Sequence, residues 1–327
     1  MLFSLSLKSW RLEVPILVVG SVALDGVETP FTRVEEVLGG AASYFSTAAS
    51  IYDQVNLVAV VGSDFPREYL DFWRSRRVNL AGLQIQEGKT FRWSGRYHLD
   101  MNVRDTLDTQ LGVFADFHPV VPAEYLDSQL VFLANIQPQL QMEVLEQISH
   151  PLLTVLDTMN LWIATSRPVL TEVMKRVDVL LMSEEEVRQY TDQPSIVVAV
   201  RQFFDLGLKY VVVKQGSYGA LLFGADGTYF SAPSYPLVEV IDPTGAGDAF
   251  AGGFLGYLAT VQPQQNGRYA VDDLQRAVVH GNIIGSFTCA DFSIGGLRNL
   301  TMKEIAARYK ELVTYSHFDP DWQPVRQ

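Results

Sequence analysis

The sequence is poor in cysteine and in positive charge. Cys289 is the one cysteine among 327 residues, which excludes an internal disulfide and any cluster of thiolates around a metal ion. Lys and Arg total 25 against 37 Asp and Glu, giving a formal charge of −12. Such an acidic protein repels the phosphates of nucleic acids and of anionic membranes. We therefore expect neither a nucleic acid nor a membrane as a partner.

Long apolar runs are also missing from the sequence. None approaches the ~18 residues that are needed to span a bilayer. Residues 1–13 lack the longer apolar stretch and the cleavage site of a signal peptide. The composition, 48% hydrophobic and 19% charged, is that of a packed globular protein. We expect a cytoplasmic protein in which residues 1–13 form a short N-terminal lead.

Short apolar runs alternate with amphipathic segments along most of the chain. Continuous Val, Ile and Leu runs separated by helices are typical of a parallel sheet covered on both faces. The pattern therefore predicts a three-layer α/β/α fold with a mostly parallel central sheet. The predicted strands are 15–19, 55–61, 130–134, 152–157, 179–182, 209–213 and 237–241, with a hairpin over 219–231. The predicted helices are 39–51, 67–78, 138–149, 168–177 and 195–204.

One region interrupts this alternation. Residues 90–118 are aromatic and polar, and they alternate like half-exposed strands rather than core strands. We predict a small β-sheet lid built from about 22–38 and 88–118, inserted into one domain that spans 14–315. Exposed aromatic strands pair readily, so we also expect this lid to join two chains into a homodimer.

The segment 240–258, VIDPTGAGDAFAGGFLGYL, carries the clearest chemistry. Gly245 and Gly247 flank Ala246, an arrangement that lets backbone N–H groups point into a concave anion site. The start of the following helix adds about half a positive charge there, which suits phosphate oxygens. A lone Asp248 would be an ordinary first-turn carboxylate. Asp242 and the small residues around it favour a catalytic site instead.

This segment, DPTGAGDAFAGGF, resembles the C-terminal signature of the PfkB (ribokinase-like) carbohydrate kinases. The segments 39–42 (GGAA), 59–64 (AVVGSD) and 211–219 (VVVKQGSYG) are similar to further motifs of that family, and the resemblance runs from about 15 to 300. It implies a ribokinase-like fold and transfer of the γ-phosphoryl group of ATP to a hydroxyl of a small sugar. It also implies ATP and Mg²⁺ as cofactors, with K⁺ as a further hypothesis.

The resemblance assigns roles to individual residues. Asp248 would take the proton of the acceptor hydroxyl, while the amides of Gly245, Ala246 and Gly247 would hold the migrating phosphoryl group. It implies ATP contacts from Ser183, Lys214, Gly216, Gly219 and Asn282, acceptor contacts from Asp25, Gly39, Gly40 and Tyr44, a water-mediated Mg²⁺ contact from Glu186 and a monovalent-cation contact from Asp242. Asn135 joins the acceptor residues because it follows strand 130–134, at the edge of a parallel sheet where ligands gather.

The sequence departs from the family pattern at two positions. Ser183 stands where the family usually has Asn, in the segment that the resemblance links to Mg²⁺ and phosphate. Tyr44 stands where many ribose kinases have Asn, which argues against a ribokinase specificity and leaves the acceptor open. Trp93 and its aromatic neighbours leave room for a stacked base, so a nucleoside (adenosine-like) kinase is the alternative. A non-catalytic, ligand-sensing relative is a third reading. A dehydrogenase is disfavoured because no GxGxxG loop follows strand 15–19.

Overall fold

The computed structural model describes residues 14–264 and 267–316. The expected N-terminal lead, residues 1–13, lies outside the described residues. In chain order the strands are β1 (Ile16–Val19), β2 (Ala23–Glu28), β3 (Arg33–Gly39), β4 (Val55–Gly62), β5 (Val78–Gln86), β6 (Phe91–Tyr97), β7 (Arg104–Gln110), β8 (Leu130–Leu133), β9 (Leu153–Asp157), β10 (Val179–Ser183), β11 (Tyr210–Lys214), β12 (Ala220–Gly224) and β13 (Tyr229–Ala232).

The helices follow the same alternation. They are α1 (Ala41–Ala49), α2 (Arg67–Ser75), α3 (Pro138–Gln147), α4 (Asn160–Thr165), α5 (Arg167–Met174), α6 (Glu184–Thr191), α7 (Ile196–Phe204), α8 (Ala246–Ala259), α9 (Val271–Thr288), α10 (Gly295–Arg298) and α11 (Met302–Ser316). Pro138 and Pro168 lie in the first turns of α3 and α5. Proline fits there because the first-turn N–H groups have no intrahelical partner.

Within the described residues, nine strands form the main sheet in the order β13-β12-β11-β10-β9-β8-β1-β4-β5. From β11 to β5 every neighbouring pair of strands is parallel. The β11–β12 and β12–β13 pairs are antiparallel. Alternate residues of β1 face two separate apolar clusters. Ile16 packs with α1, α8 and α9 on one face, and Leu17 packs with α3, α5 and α7 on the other. The predicted three-layer α/β/α class is confirmed.

A second, smaller sheet stands apart from the main one, as predicted. Its order is β3-β2-β6-β7, with β2 and β6 parallel and the outer pairs antiparallel. Asp64, just after β4, fastens it to the main sheet because its Oδ1 accepts hydrogen bonds from the N–H and the hydroxyl of Thr90 at 2.8 and 2.7 Å. Arg92 lies 2.9 Å from the other carboxylate oxygen. These bonds hold the pKa of Asp64 at about 2, against the opposing effect of burial.

Two local predictions were wrong. No strand forms over 237–241 in the described structure, where Val238 is fully exposed. Pro233, Pro236 and Pro243 flank this segment, and proline cannot donate to a sheet ladder. The helix predicted over 67–78 ends at Ser75, because Arg77 adopts a positive φ of 62° that turns the chain into β5.

Helices α1 and α8 pack unusually closely, which brings the start of α8 over the sheet edge. A Cβ placed on Gly252 would lie 2.6 Å from the Cβ of Ala48 and 2.7 Å from the carbonyl oxygen of Phe45. Such distances are below van der Waals contact, so the two helices approach only because position 252 has no side chain.

We expect Gly252→Ala to destabilise the protein by roughly 1–3 kcal/mol, because the added methyl group overpacks the α1–α8 contact. This loss should exceed the helix-propensity gain of about 1 kcal/mol from replacing glycine. Thermal unfolding measures the effect. Gly285→Ala in α9 is the matched control, since its Cβ would meet its nearest neighbour at an ordinary 3.4 Å. Equal melting temperatures for the two variants would contradict the packing argument.

Candidate active site

The predicted site residues converge on the carboxyl edge of the main sheet. Asp157 ends β9, Ser183 ends β10 and Lys214 ends β11. In the strand register Ser183 lies beside Lys214, and Asp157 lies beside Leu181, two residues before Ser183. The start of α8 lies next to them. Parallel strands therefore bring together side chains that are distant in the sequence, at the edge where open α/β sheets bind ligands.

The turn before α8 has the geometry of an anion site. Gly245 is the N-cap residue, in the left-handed conformation with φ 73°. No side chain in the described part of the chain caps this helix end. The Ala246 N–H donates to the carbonyl oxygen of Pro243 at 3.1 Å, so a ligand at this amide would share the hydrogen with that carbonyl. The helix dipole favours a negatively charged ligand beside the turn.

Asp248 lies in the first turn of α8 and is partly buried. Loss of solvation and the charge of Asp157 raise its pKa, while Lys214 and Arg104 oppose the rise, and the resulting pKa is about 7. A carboxylate with a pKa near neutrality is well suited to accept a proton at physiological pH. The environment of Asp248 therefore differs from that of an ordinary helix-capping aspartate.

Lys214 supplies positive charge beside the turn. Its Nζ donates to Asp157 Oδ2 at 2.7 Å, and the two side chains are only 17% and 4% exposed. A Cβ on Gly247 would lie 3.2 Å from the same Nζ, so the ammonium group contacts the turn. Burial alone would lower the pKa of Lys214, but Asp157 and Glu186 outweigh it and raise the pKa. Lys214 therefore stays protonated where an anion would bind.

Ser183 and Glu186 form a capping box at the start of α6. The Glu186 N–H donates to Ser183 Oγ at 3.2 Å, and the Ser183 N–H donates to Glu186 Oε2 at 2.7 Å. Burial and the charge of Asp157 raise the pKa of Glu186, whereas Lys214 lowers it. The structure thus shows a helix-capping role for both residues. Their nucleotide and Mg²⁺ roles remain predictions.

Asp25, a predicted acceptor residue, is enclosed by the glycine pair. A Cβ on Gly39 would lie 1.9 Å from Asp25 Oδ2, and a Cβ on Gly40 would lie 2.6 Å from the carbonyl oxygen of Ser21. Asp25 is 4% exposed, and its Oδ1 has no hydrogen-bond partner among residues 14–264 and 267–316. Burial, followed by the charge of Asp242, raises its pKa to about 8. An orphaned buried oxygen of this kind is typical of a site that binds a polar ligand.

Asp242 shows the same signature. It is 1% exposed, and its Oδ1 accepts a hydrogen bond from the Thr244 N–H at 2.8 Å. Its Oδ2 finds no partner in the part of the chain that the structure describes. Burial raises its pKa. A buried carboxylate oxygen that accepts no hydrogen bond is a suitable ligand for a cation.

The small sheet contributes two residues of the aromatic and polar run over 90–118 that predicted the lid. The Thr244 hydroxyl donates to the Tyr97 hydroxyl at 3.1 Å, so strand β6 touches the turn before α8. Arg104 in β7 lies 5.7 Å from the centre of the Trp93 ring and lowers the pKa of Asp248. A role for either residue in covering the acceptor stays a prediction.

The loop at 98–103 reaches the opposite side of the site. A Cβ on Gly216, which has a φ of 56°, would lie 3.0 Å from Asn102 Oδ1. Gly216 and Gly219 both have a positive φ in the turn after β11, and a Cβ on Gly219 would lie 2.0 Å from the carbonyl oxygen of Ala232. The small sheet thus contacts the site near the acceptor residues and near the predicted ATP residues.

Two predicted residues already have protein partners. Asn135 Oδ1 accepts a hydrogen bond from Trp162 Nε1 at 2.9 Å, and its Nδ2 lies 3.3 Å from Met159 Sδ. Asn282 Nδ2 donates to the carbonyl oxygens of Ala232 and Pro233 at 3.1 and 3.0 Å. These bonds fix α4 to the end of β8, and α9 to the end of β13. Acceptor contact by Asn135 and nucleotide contact by Asn282 remain predictions.

No cluster of three or more His, Cys, Asp and Glu side chains suited to a metal ion occurs within the described residues. A divalent cation at this edge of the sheet would therefore take much of its coordination from phosphate and water, as Mg²⁺ commonly does in kinases.

None of the described helices combines the length and the apolar character needed to cross a membrane.

Comparison with known proteins decides the family. The pfkB family carbohydrate kinase model matches residues 16–294, from β1 to the loop before α10. The chain belongs to the PfkB family of carbohydrate kinases. As a member it is related to kinases of nucleosides and of sugars, and the predicted resemblance is confirmed.

Individual relatives show the breadth of this PfkB family. A cytidine kinase of Thermococcus kodakarensis is 33% identical over 254 residues, which are 76% of this chain and 90% of the relative. A 2-dehydro-3-deoxygluconokinase of Thermoproteus tenax is 27% identical over 71% of this chain and 76% of its own length. An E. coli protein called ribokinase II, solved with ATP and Mg²⁺, superposes with a TM-score of 0.73 at 18% identity, covering 91% of this chain and 99% of that one.

The buried Asp25 should make stability depend on pH. Its folded pKa of about 8 lies above the ordinary value of 3.8, so its contribution to stability is lost as pH rises from about 4 through 8. We expect Asp25→Asn to gain stability relative to the natural protein over that range, by at most about 1.4 kcal/mol per pH unit. Thermal unfolding at pH 5 and pH 8 measures the difference.

Asp205→Asn is the control for this prediction, because Asp205 is an exposed carboxyl group after α7. The stability difference between that variant and the natural protein should not grow with pH. If the difference for Asp25→Asn is the same at both pH values, Asp25 does not have the raised pKa that we infer.

Proposed function

We propose that this protein transfers the γ-phosphoryl group of ATP to a hydroxyl of a small sugar unit, with Asp248 as the base. The observation that carries the proposal is the position of Asp248. Its carboxylate, with a pKa of about 7, lies in the first turn of α8 beside the uncapped Gly245–Gly247 turn and the charged Lys214. A proton acceptor and an anion site are therefore adjacent, as phosphoryl transfer to an alcohol requires.

The proposed reaction assigns one task to each group. Asp248 takes the proton of the acceptor hydroxyl, and the acceptor oxygen forms a bond to the γ-phosphorus while the bond to the β,γ-bridging oxygen breaks, releasing ADP. The amides of Gly245, Ala246 and Gly247 and the ammonium of Lys214 stabilise the charge on the migrating phosphoryl oxygens. Mg²⁺, when bound with ATP, would neutralise phosphate charge, and Glu186 is the residue proposed to hold it through water.

The remaining assignments complete the proposed nucleotide site. Gly216 and Gly219 shape the turn after β11 at which the ATP would lie, with Ser183 on the adjacent strand end and Asn282 on α9. An enzyme that consumes ATP works where ATP is abundant, so a cytoplasmic location remains our prediction.

The acceptor pocket favours a nucleoside as the first candidate. Asp25 is paired in the parallel β2–β6 register with Trp93, so the two residues lie on the same face of the small sheet, where the Trp93 ring lies over Gly95. A base attached to that sugar has a surface on which to stack. The likeness to a cytidine kinase supports the same choice. A free sugar, the acceptor that the sequence favoured, becomes the second candidate acceptor. The likeness to a 2-dehydro-3-deoxygluconokinase supports it.

We also propose that two copies associate through the small sheet. Strand β7 is one of its two edge strands and is exposed along its whole length. Phe31 and Leu99, at the ends of neighbouring strands, are 68% and 82% exposed. An exposed edge with large apolar side chains is a surface that a second chain can cover.

The proposed function is tested by coupled detection of ADP with ATP and Mg²⁺ across cytidine, adenosine, inosine, ribose and fructose. We expect turnover with at least one of them, and Asp248→Asn should lower kcat by ~10²–10⁴-fold while acceptor and ATP still bind. For the natural protein, kcat/KM should rise with pH up to a plateau above the pKa of Asp248, about 7. The variant should lack this rise.

Asp205→Asn serves as the matched carboxyl-to-amide control and should retain full activity. A near-normal kcat for Asp248→Asn would refute the base assignment. Acceptor binding without any release of ADP would favour the non-catalytic, ligand-sensing reading.

Asp242 provides a separate prediction about K⁺. Because Asp242 Oδ2 is buried and without a donor in the described structure, we propose that this oxygen helps to bind a monovalent cation near the turn. We expect K⁺ to raise kcat several-fold relative to tetramethylammonium at equal ionic strength, and Asp242→Asn to weaken this activation. Equal rates in the two salts would exclude a specific cation site.

A further inference from the structure

A polar side chain is fully buried where helix α3 meets the carboxyl edge of the main sheet. Gln141 is 0% exposed, and Leu140, Val144 and Leu145 of the same helix are buried apolar residues. A buried amide opposes folding unless its polar groups find partners. The partners of Gln141 therefore show what an amide does in this core position.

The Gln141 amide joins the ends of two neighbouring strands. Its Nε2 donates to the carbonyl oxygen of Ala134, directly after β8, at 2.9 Å and to that of Asp157, the last residue of β9, at 3.1 Å. The last pair in the parallel β8–β9 register is Leu133 and Leu156, so both carbonyl groups come immediately after it. A glutamine amide has two N–H groups to donate, whereas an ionised carboxylate has none. The side chain thus continues the link between the strands where their ladder ends.

Asp157 connects Gln141 to the charged part of the candidate site. Its carboxylate accepts hydrogen bonds from the Thr158 N–H at 2.9 Å through Oδ1 and from Lys214 Nζ at 2.7 Å through Oδ2. The same Nζ would lie 3.2 Å from a Cβ on Gly247. A series of contacts therefore runs from Gln141 through Asp157 to the ammonium group beside the start of α8.

The position of the Lys214 ammonium depends on its partners. A lysine head group sits on a flexible four-carbon stem, so the stem alone does not determine where the charge lies. A displacement of the end of β9 would move the Asp157 carboxylate and the ammonium with it. A shift of about 1 Å in a positioning group can cost ~10²-fold in rate.

Hydrogen bonding alone does not account for an amide at position 141. The side chain satisfies two carbonyl oxygens, but its own Oε1 is buried without a hydrogen-bond partner within residues 14–264 and 267–316. An unsatisfied buried acceptor offsets part of what the two bonds contribute to stability. The clearer consequence of Gln141 is geometric, because its amide fixes the distance between two strand ends.

We propose that Gln141 is a positioning residue, which holds the end of β9 so that Asp157 places the Lys214 ammonium beside the start of α8. Gln141 acts only through Asp157 and Lys214 in this arrangement. The inference rests on the proposed function, in which Lys214 stabilises the charge of the migrating phosphoryl group. The effect of Gln141 on the reaction should therefore depend on the presence of Lys214.

The test examines Gln141→Leu in the natural protein and in a Lys214→Met background. Initial rates give kcat, and calorimetry, well below the melting temperature of every variant, gives the Kd of ATP and of the acceptor. We expect Gln141→Leu to lower kcat about tenfold and to raise the Kd of ATP about threefold, with the acceptor Kd within about twofold of normal. In the Lys214→Met background the same substitution should change each value by less than about twofold, because the group that Gln141 positions is gone. The Kd of ATP makes this comparison without any turnover.

Gln147→Leu is the matched control. Gln147 is the last residue of the same helix, and its Nε2 also donates to two carbonyl oxygens, those of Pro119 at 2.8 Å and Glu143 at 3.0 Å. This end of α3 leads back to the start of β9, away from the candidate site. The variant should lower the melting temperature and leave kcat and both Kd values unchanged. If Gln141→Leu does not fold, Gln141→Met, which keeps an unbranched side chain, replaces it with the same expectations.

Several results would overturn the inference. One is an unchanged kcat in the folded Gln141 variant, and another is an equal fall in kcat for Gln147→Leu. An undiminished effect in the Lys214→Met background, or a tenfold rise in the acceptor Kd, would show that Gln141 does not act through Lys214. In all these cases the natural protein still releases ADP, so the proposed function stands. If the natural protein releases no ADP with any acceptor, the proposed function and the Gln141 inference both fail.

Discussion

The close approach of α8 to α1 is the constraint on which the candidate site depends. It places the uncapped start of α8 over the carboxyl edge of the sheet, where Lys214 contacts Gly247 and the Tyr44 ring contacts Gly245. The Tyr44 contact leaves no room for a side chain at Gly245, whereas a side chain at Gly247 would require a small shift of the Lys214 ammonium group. The anion site therefore arises from backbone geometry, which the small residues of α8 permit, and charged side chains are added around it.

Burying so many carboxyl groups at one edge opposes stability. Asp25, Asp242 and Asp248 all have raised pKa values, first because burial disfavours their charged forms. Lys214 offsets part of this cost through its short ion pair with Asp157, which is itself buried. Buried, destabilising carboxyl groups are typical of a functional site. A ligand that supplies the missing hydrogen bonds or charge removes part of this free-energy cost, and the gain adds to its binding.

The sequence predicted the architecture and the glycine turn that begins α8, because both depend on local patterns. Continuous apolar runs identified the buried strands, and the GAGD segment identified the turn, whose chemistry stays a prediction. The run over 90–118 placed Tyr97 and Arg104 in the lid, but their interactions with Thr244 and Asp248 depend on how the small sheet folds over the main one. The capping box of Ser183 and Glu186 depends on α6 beginning at Glu184, and the run of three glutamates alone did not determine that starting residue. The apolar residues of 237–241 predicted a strand that does not form, because the flanking prolines cannot donate to a sheet ladder.

The small sheet has one consequence for the order of events. Tyr97 joins it to the turn before α8, and Asn102 places its tip against the loop at Gly216. The small sheet therefore touches both the turn proposed to hold the phosphoryl group and the loop proposed to hold ATP. A movement of this sheet about the Asp64–Thr90 hydrogen bonds would alter both places at once, so the release of the two proposed products would be coupled.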